Sequence, residues 1–322
     1  MNREFILLML GVCALLLAPC DSVAGELSLP PGTGSILEHI YSGRSDLAIT
    51  EAQALQREQP EHPLGYLLDA EARWWQIWCL SAEYRYGMNL PLHRGKLATD
   101  QEYLNLAAKA ESLATASLAQ HESGEMHLYA GMAEALAARL YGLRAENRAA
   151  ARAGVHAREN LLRALALDPS LYDADMGLGL YNYYVDTLST VARVLRFFMG
   201  IPGGSKEEGI RQLRQAMDHG QLTPTLARYY LAVCLHLYDR KYEQALQAAT
   251  PLVEKYPENP IFRLVRGDLY AKLGRKALAI ADYRAAVAVA INDAGCRKKI
   301  EQLVKESLAA QDAGQSQGDS GL

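Results

Sequence analysis

Cysteine is scarce in this chain of 322 residues: there are five, and two of them fall within the first twenty positions. Cys79, Cys234 and Cys296 remain, so the rest of the chain can form at most one disulfide. No spacing among them approaches a metal or haem motif. Cys79 beside Trp78 and Cys234 between Val233 and Leu235 read as small buried hydrophobes rather than redox groups. Long apolar runs are missing too. The longest, Phe5 to Leu17, has 13 residues, against the ~20 that a helix needs to span ~30 Å of hydrocarbon.

Neither sign of charge dominates. The formal charge is −4, and no run of five or more lysines and arginines occurs, so the electrostatic footprint needed to neutralise phosphates is absent and nucleic acid is not an expected partner. No polybasic segment marks a membrane surface. Catalytic signatures are equally lacking: the eight histidines form no His-Glu-x-x-His helix, and there is no Gly-x-Ser-x-Gly elbow. His121-Glu122 reads as a solvated turn. Glu207-Glu208 reads as negative charge at a helix N-terminus, since adjacent helical residues diverge and would not flank one bond. No enzyme activity and no cofactor are expected, although a site assembled from distant residues would escape such a reading.

β-Branched residues are sparse while Ala and Leu dominate, so helix propensity is high and almost no strand is expected. At the start, Met1-Asn2-Arg3, the apolar run and Ser22-Val23-Ala24 have the form of a secretory signal, which predicts a mature chain from Gly25 with formal charge −3. Leu17-Ala18-Pro19-Cys20 offers a competing reading, a lipobox with Cys20 as the lipid-bearing residue, for which proline before the cysteine is a poor fit. The domain then runs over 25–311. The Gly-, Ser- and Gln-rich stretch 312–322 has nothing to bury and is expected to be a disordered tail.

The organising signal is an echo of period 34. Ala245-Leu246 and Ala279-Ile280 follow similar leucine-rich, tyrosine-bearing patterns. In the second copy, Gly267, Tyr270, Gly274, Ala279, Tyr283 and Ala286 alternate small and large, so that two helices approach closely at Gly267 and Ala279 while the tyrosines fill the space alongside. Pro257 and Pro260 punctuate the boundary upstream, and the helix from Thr225 to Leu237 needs one extra residue to keep register. Helices are expected in pairs at 35–42 with 45–58, 63–85 with 97–119, 125–143 with 148–167, 171–187 with 205–219, 223–238 with 241–255, and 260–273 with 275–289. A polar capping helix follows at 293–311.

Two stretches depart from the repeat. Trp74, Trp75 and Trp78 hold all the tryptophan; Trp74 and Trp78 share a helix face, and Trp75 is the one expected to be exposed, either as part of a ligand-facing patch or beside a packed core. The apolar insertion 188–204 carries Arg193, Arg196, Phe197, Phe198 and Met199. It would plug the stack, bind a partner, or make peripheral contact with the envelope membrane. Gly200-Ile201-Pro202-Gly203-Gly204-Ser205-Lys206 lacks the order of a phosphate loop and reads instead as an N-cap at Ser205 with Glu208 three residues on.

From about Pro60 to Val287 the chain resembles tetratricopeptide repeat proteins, on the residues just named. The segment 177–217 further resembles a branch found in exported bacterial proteins. The resemblance implies an all-α, right-handed superhelical solenoid of about six degenerate helix pairs plus a C-terminal capping helix. Its concave groove would hold an extended peptide or a helix of a protein partner. Groove-facing positions carried over are Ile261, Leu264, Asp268, Ala271 and Lys272 in the last repeat, with Tyr184, Arg228, Tyr229 and Tyr230 as candidates upstream. The function expected is a non-catalytic scaffold of the periplasm or outer-membrane surface, with a lipoprotein tether or assembly factor, and an enzyme or accessory subunit, as the alternatives.

Overall fold

The computed structural model describes residues 27–188 and 201–313. Thirteen helices are present among them: α1 (Thr33–Tyr41), α2 (Ser45–Glu58), α3 (Leu64–Ser81), α4 (Asp100–Leu118), α5 (Gly124–Leu143), α6 (Asn147–Leu167), α7 (Asp173–Thr187), α8 (Lys206–His219), α9 (Pro224–Leu237), α10 (Tyr242–Lys255), α11 (Pro260–Lys272), α12 (Lys276–Ala288) and α13 (Ala294–Asp312). Each packs on its sequence neighbour, giving six consecutive pairs and a last helix, an all-α repeat solenoid. Residues 1–26, which include the expected signal segment and Cys20, residues 189–200 and residues 314–322 lie outside the described residues.

The turn within a repeat has one recurring form. Gly43, Ala145, Arg240 and Gly274 all take positive φ, between 53° and 78°, just past the first helix of their pairs. The following amide then bonds back over the turn: Arg44 N to His39 O, Glu146 N to Tyr141 O and Arg275 N to Tyr270 O each span five residues. This is the six-to-one bond of a Schellman ending, which satisfies a carbonyl that the helix leaves open. In the α9–α10 turn the bond runs from Lys241 N to Leu235 O, six residues back, which places there the extra residue required by the sequence register. Four residues beyond each turn stands an alanine, and Ala48, Ala245 and Ala279 among them are fully buried between helices.

Close approach also rests on glycine. A Cβ on Gly179 would lie 2.9 Å from the Gly209 carbonyl oxygen, and one on Gly209 would lie 2.6 Å from that of Gly179, so α7 and α8 touch backbone to backbone. One on Gly267 would meet the Tyr283 ring at 2.6 Å, the small-against-large pairing read from the repeat. Ser205 accepts from Glu208 N at 3.3 Å and begins α8 as an N-cap.

The helix expected over 63–85 stops at Ser81. Strands β1 (Ala82–Arg85) and β2 (Met88–Pro91) follow as an antiparallel hairpin with Tyr84 opposite Asn89. Its two-residue loop, Tyr86-Gly87, has φ of 58° and 71°, the signature of a type I′ turn. A tyrosine in the left-handed position disguised that turn in the sequence.

The stack returns on itself. Helix α13 packs on α3 and β1 as well as on α11 and α12, and β2 packs on α11. A disulfide joins Cys79 at the end of α3 to Cys296 in the first turn of α13, across 217 residues of chain. Cys79 is therefore bonded rather than a free buried thiol; Cys234 is free and fully buried, and burial pushes its thiol pKa up.

Candidate functional site

The concave wall of the last repeat is built on α11. Asn259 caps it, its Oδ1 accepting from Ile261 N at 2.9 Å and Phe262 N at 3.2 Å, while Pro260 supplies a first residue that needs no donor. Ile261, Leu264, Asp268 and Ala271 all face inward and are at most 5% exposed. What covers them is the chain itself.

Helix α3 lies in that space. Fifteen of its eighteen residues are buried, because it meets α1, α2, α4, α5, α13 and β2 together with side chains of α9 and α11. Trp75 is 3% exposed, contrary to expectation: its ring stands edge-on to Phe262 at 5.5 Å, Tyr229 at 5.1 Å and Tyr41 at 6.2 Å. Trp78 Nε1 donates to Tyr229 Oη at 2.8 Å. Such edge-to-face aromatic packing is core chemistry, and it fills the groove at this level. Periodicity on α3 alone gave no sign of it, since Tyr229 and Phe262 come from positions more than 150 residues away and Tyr41 from another helix.

The hairpin completes the filling. Asn89 donates twice to Asp268, from its backbone N to Oδ2 and from Nδ2 to Oδ1, both at 2.8 Å, and Nδ2 also reaches Ser307 Oγ at 3.1 Å. Tyr283 Oη donates to Asp268 Oδ1 at 2.9 Å. Burial nevertheless outweighs these donors and pushes the Asp268 carboxyl up to about 7. Lys272, half-buried, sits against Gly87 at the hairpin tip, where an added Cβ would lie 3.1 Å from Nζ. Burial and then Lys272 push the neighbouring His236 imidazole down to about 3, so it stays neutral. Asp268 thus holds an extended segment by main-chain and side-chain amides, as a groove carboxylate would hold a bound peptide, but the segment is this chain's own.

A second inward polar group lies on α3. Glu71 pairs with Arg139 Nη2 at 2.6 Å, Arg139 also donates to Tyr103 Oη at 3.1 Å, and its guanidinium lies 4.1 Å over the Trp74 ring. Tyr230, 9% exposed, adjoins Arg139. The pair is desolvated and enclosed by aromatics, a structural arrangement rather than an acid/base couple. Among the described residues no three His, Cys, Asp or Glu side chains are grouped to hold a metal ion, and no helix is long and apolar enough to cross a membrane.

Of the remaining candidates, Tyr184 and Arg228 are half-buried, Tyr184 stacking edge-on with Tyr183 at 6.0 Å and Tyr238 at 5.7 Å. Arg193, Arg196, Phe197 and Phe198 lie outside the described residues. The flanks of the insertion are anchored: Tyr181 Oη donates to Pro202 O at 2.9 Å, and Lys206 N to Asp186 Oδ2 at 3.0 Å.

An accessible concavity occurs where the first repeat meets the last two. This cleft of about 630 Å³ runs between the α1–α2 turn and the C-terminal end of α12, lined by Arg44, Leu47, Glu258, Arg263, Ala285 and Ala288 among others. Leu47 is 47% exposed, and Arg44 closes the seam on Glu258 at 2.6 Å. Nothing in the sequence pointed to it, because its walls are 200 residues apart.

A comparison with curated proteins found no match to the chain. Residues 230–294, from the middle of α9 to the start of α13, match the tetratricopeptide repeat family. Repeats of this family serve generally as scaffolds for protein–protein interaction. The match falls on the two helix pairs that carry the 34-residue echo and the shared turn geometry, and these two repeats are of the tetratricopeptide type.

Proposed function

We propose that this protein is a non-catalytic interaction scaffold of the bacterial cell envelope, exported on the signal at residues 1–24, which holds a protein partner by affinity alone. The observation that carries the reading is the repeat match over 230–294 on a stack of stiff helix pairs, which prepay ordering on one side of an interface. Because α3 and the hairpin already line the groove wall, partner contact falls to the insertion 188–204 and the seam cleft around Leu47 and Ala288.

The test is capture from an envelope extract by the mature protein, by a Phe197→Asp/Phe198→Asp variant and by a Leu47→Asp/Ala288→Asp variant, each folded by circular dichroism. A partner lost with the first variant assigns the insertion, and one lost with the second assigns the cleft. Retention by both overturns this placement. Leu17-Ala18-Pro19-Cys20 supports a second reading, a lipidated tether. The mass of the processed N-terminus, lipidated at Cys20 or bare at Gly25, decides between them.

A further inference from the structure

Helix α13 is weakly seated by its own side chains. Its buried face is Cys296, Ile300, Leu303, Val304, Ser307, Ala310 and Gln311, in which only Ile300, Leu303 and Val304 are large aliphatics, with Leu308 half-buried beside them. Gln311 Nε2 is buried without a partner, and Ser307 is fully buried. The other face is polar, with Arg297, Lys298, Glu301, Gln302 and Lys305 exposed. A helix that buries so little apolar surface, at the end of a repeat stack, sits at the low-stability end of the molecule.

Against this, α13 makes contacts that close the stack. It reaches α3 and β1, and its Ser307 accepts from Asn89, the residue that holds the hairpin on Asp268. One covalent bond, Cys79–Cys296, fixes it there. The aromatic seam of Trp75, Trp78, Tyr229 and Phe262 lies between α3, α9 and α11 and does not involve α13.

We propose that the Cys79–Cys296 disulfide is a redox latch on the terminal helix: oxidised, it keeps α13 closed over α3 and the hairpin, and reduced, it lets α13 lift from them while the aromatic seam holds the rest of the stack. The reaction needs a dithiol as reductant. Its thiolate attacks Cys296 Sγ, on the more exposed residue of the two at 9% against 0% for Cys79, and Cys79 leaves as thiolate. The second thiol of the reductant then displaces Cys296. Two electrons pass to the protein, both cysteines end as thiols after taking up protons, and the dithiol ends as a disulfide.

The experiment is peptide-resolved hydrogen–deuterium exchange on the full mature protein, oxidised, reduced with dithiothreitol, and as Cys79→Ser and Cys296→Ser variants. Alkylation before reduction should tag neither Cys79 nor Cys296. Exchange over 294–312 and 82–91 should rise at least tenfold on reduction and in both variants, fall again on reoxidation of the wild type, and stay unchanged over α5. Unchanged exchange in α13 on reduction overturns the latch. A parallel rise in α5 also overturns it, making the bond a staple for the whole fold, as would two free thiols before reduction.

Discussion

Asp268 is the residue on which pH acts. Its carboxyl is raised to about 7 by burial, above the 3.8 of an exposed aspartate, so between these values the folded state holds a proton that the unfolded chain has released. Its contribution to stability is complete below pH 4 and is lost as pH rises through 7, at a slope of up to about 1.4 kcal/mol per pH unit. Thermal unfolding of the wild type and of Asp268→Asn from pH 4 to 8 should show that slope reduced in the variant. Trp75→Ala should be the more damaging change, costing about 3–5 kcal/mol in urea unfolding, since three rings lose their common partner. Residues such as Ala245, Ala279, Gly267 and Tyr283 were legible in the sequence because their packing partners lie within one repeat. Trp75 was misread because its burial depends on Tyr229 and Phe262, far along the chain, and a helical wheel sees only its own helix.

At the scale of the element, the intra-repeat turn is the unit that sets register. Ala145 and Arg240 occupy the left-handed position that Gly43 and Gly274 occupy in other repeats. Replacing either by glycine should stabilise the protein by about 0.5–1 kcal/mol, measured as an increase in the denaturation midpoint, because the backbone strain of a Cβ there is relieved. Gly87→Ala should do the opposite. It adds a Cβ both at φ 71° and 3.1 Å from Lys272 Nζ, and a loss of about 1–2 kcal/mol is expected. Helix pairs could be placed from sequence because proline, glycine and the alanine period mark their ends. The hairpin could not: Ala-Glu-Tyr-Arg has little strand preference, and Tyr-Gly is not a usual type I′ pair.

For the whole molecule, closure changes what kind of solenoid this is. An open repeat array gains stability by nearest-neighbour increments and frays from its ends. Here the first third of the chain is packed against the last, so oxidised protein should unfold in one cooperative transition. The Cys79→Ser/Cys296→Ser variant should unfold over a broader range of urea, with α13 and the hairpin leaving before the rest of the stack. The candidate groove was legible in outline, from Ile261, Leu264 and Asp268, but its occupant was not, since no local pattern tells a groove that awaits a guest from one filled by its own chain.

That long reach also governs how the protein is made. Trp75 and Trp78 are synthesised early, while Tyr229, Phe262 and Cys296 follow 150 to 220 positions later. At ~5–20 residues per second, the aromatic face of α3 waits roughly 10–40 s for its cover. Folding of the N-terminal third therefore cannot finish before the later repeats are made, and the nascent chain presents Trp75 and Trp78, which a holding chaperone would have to shield until the last repeat arrives.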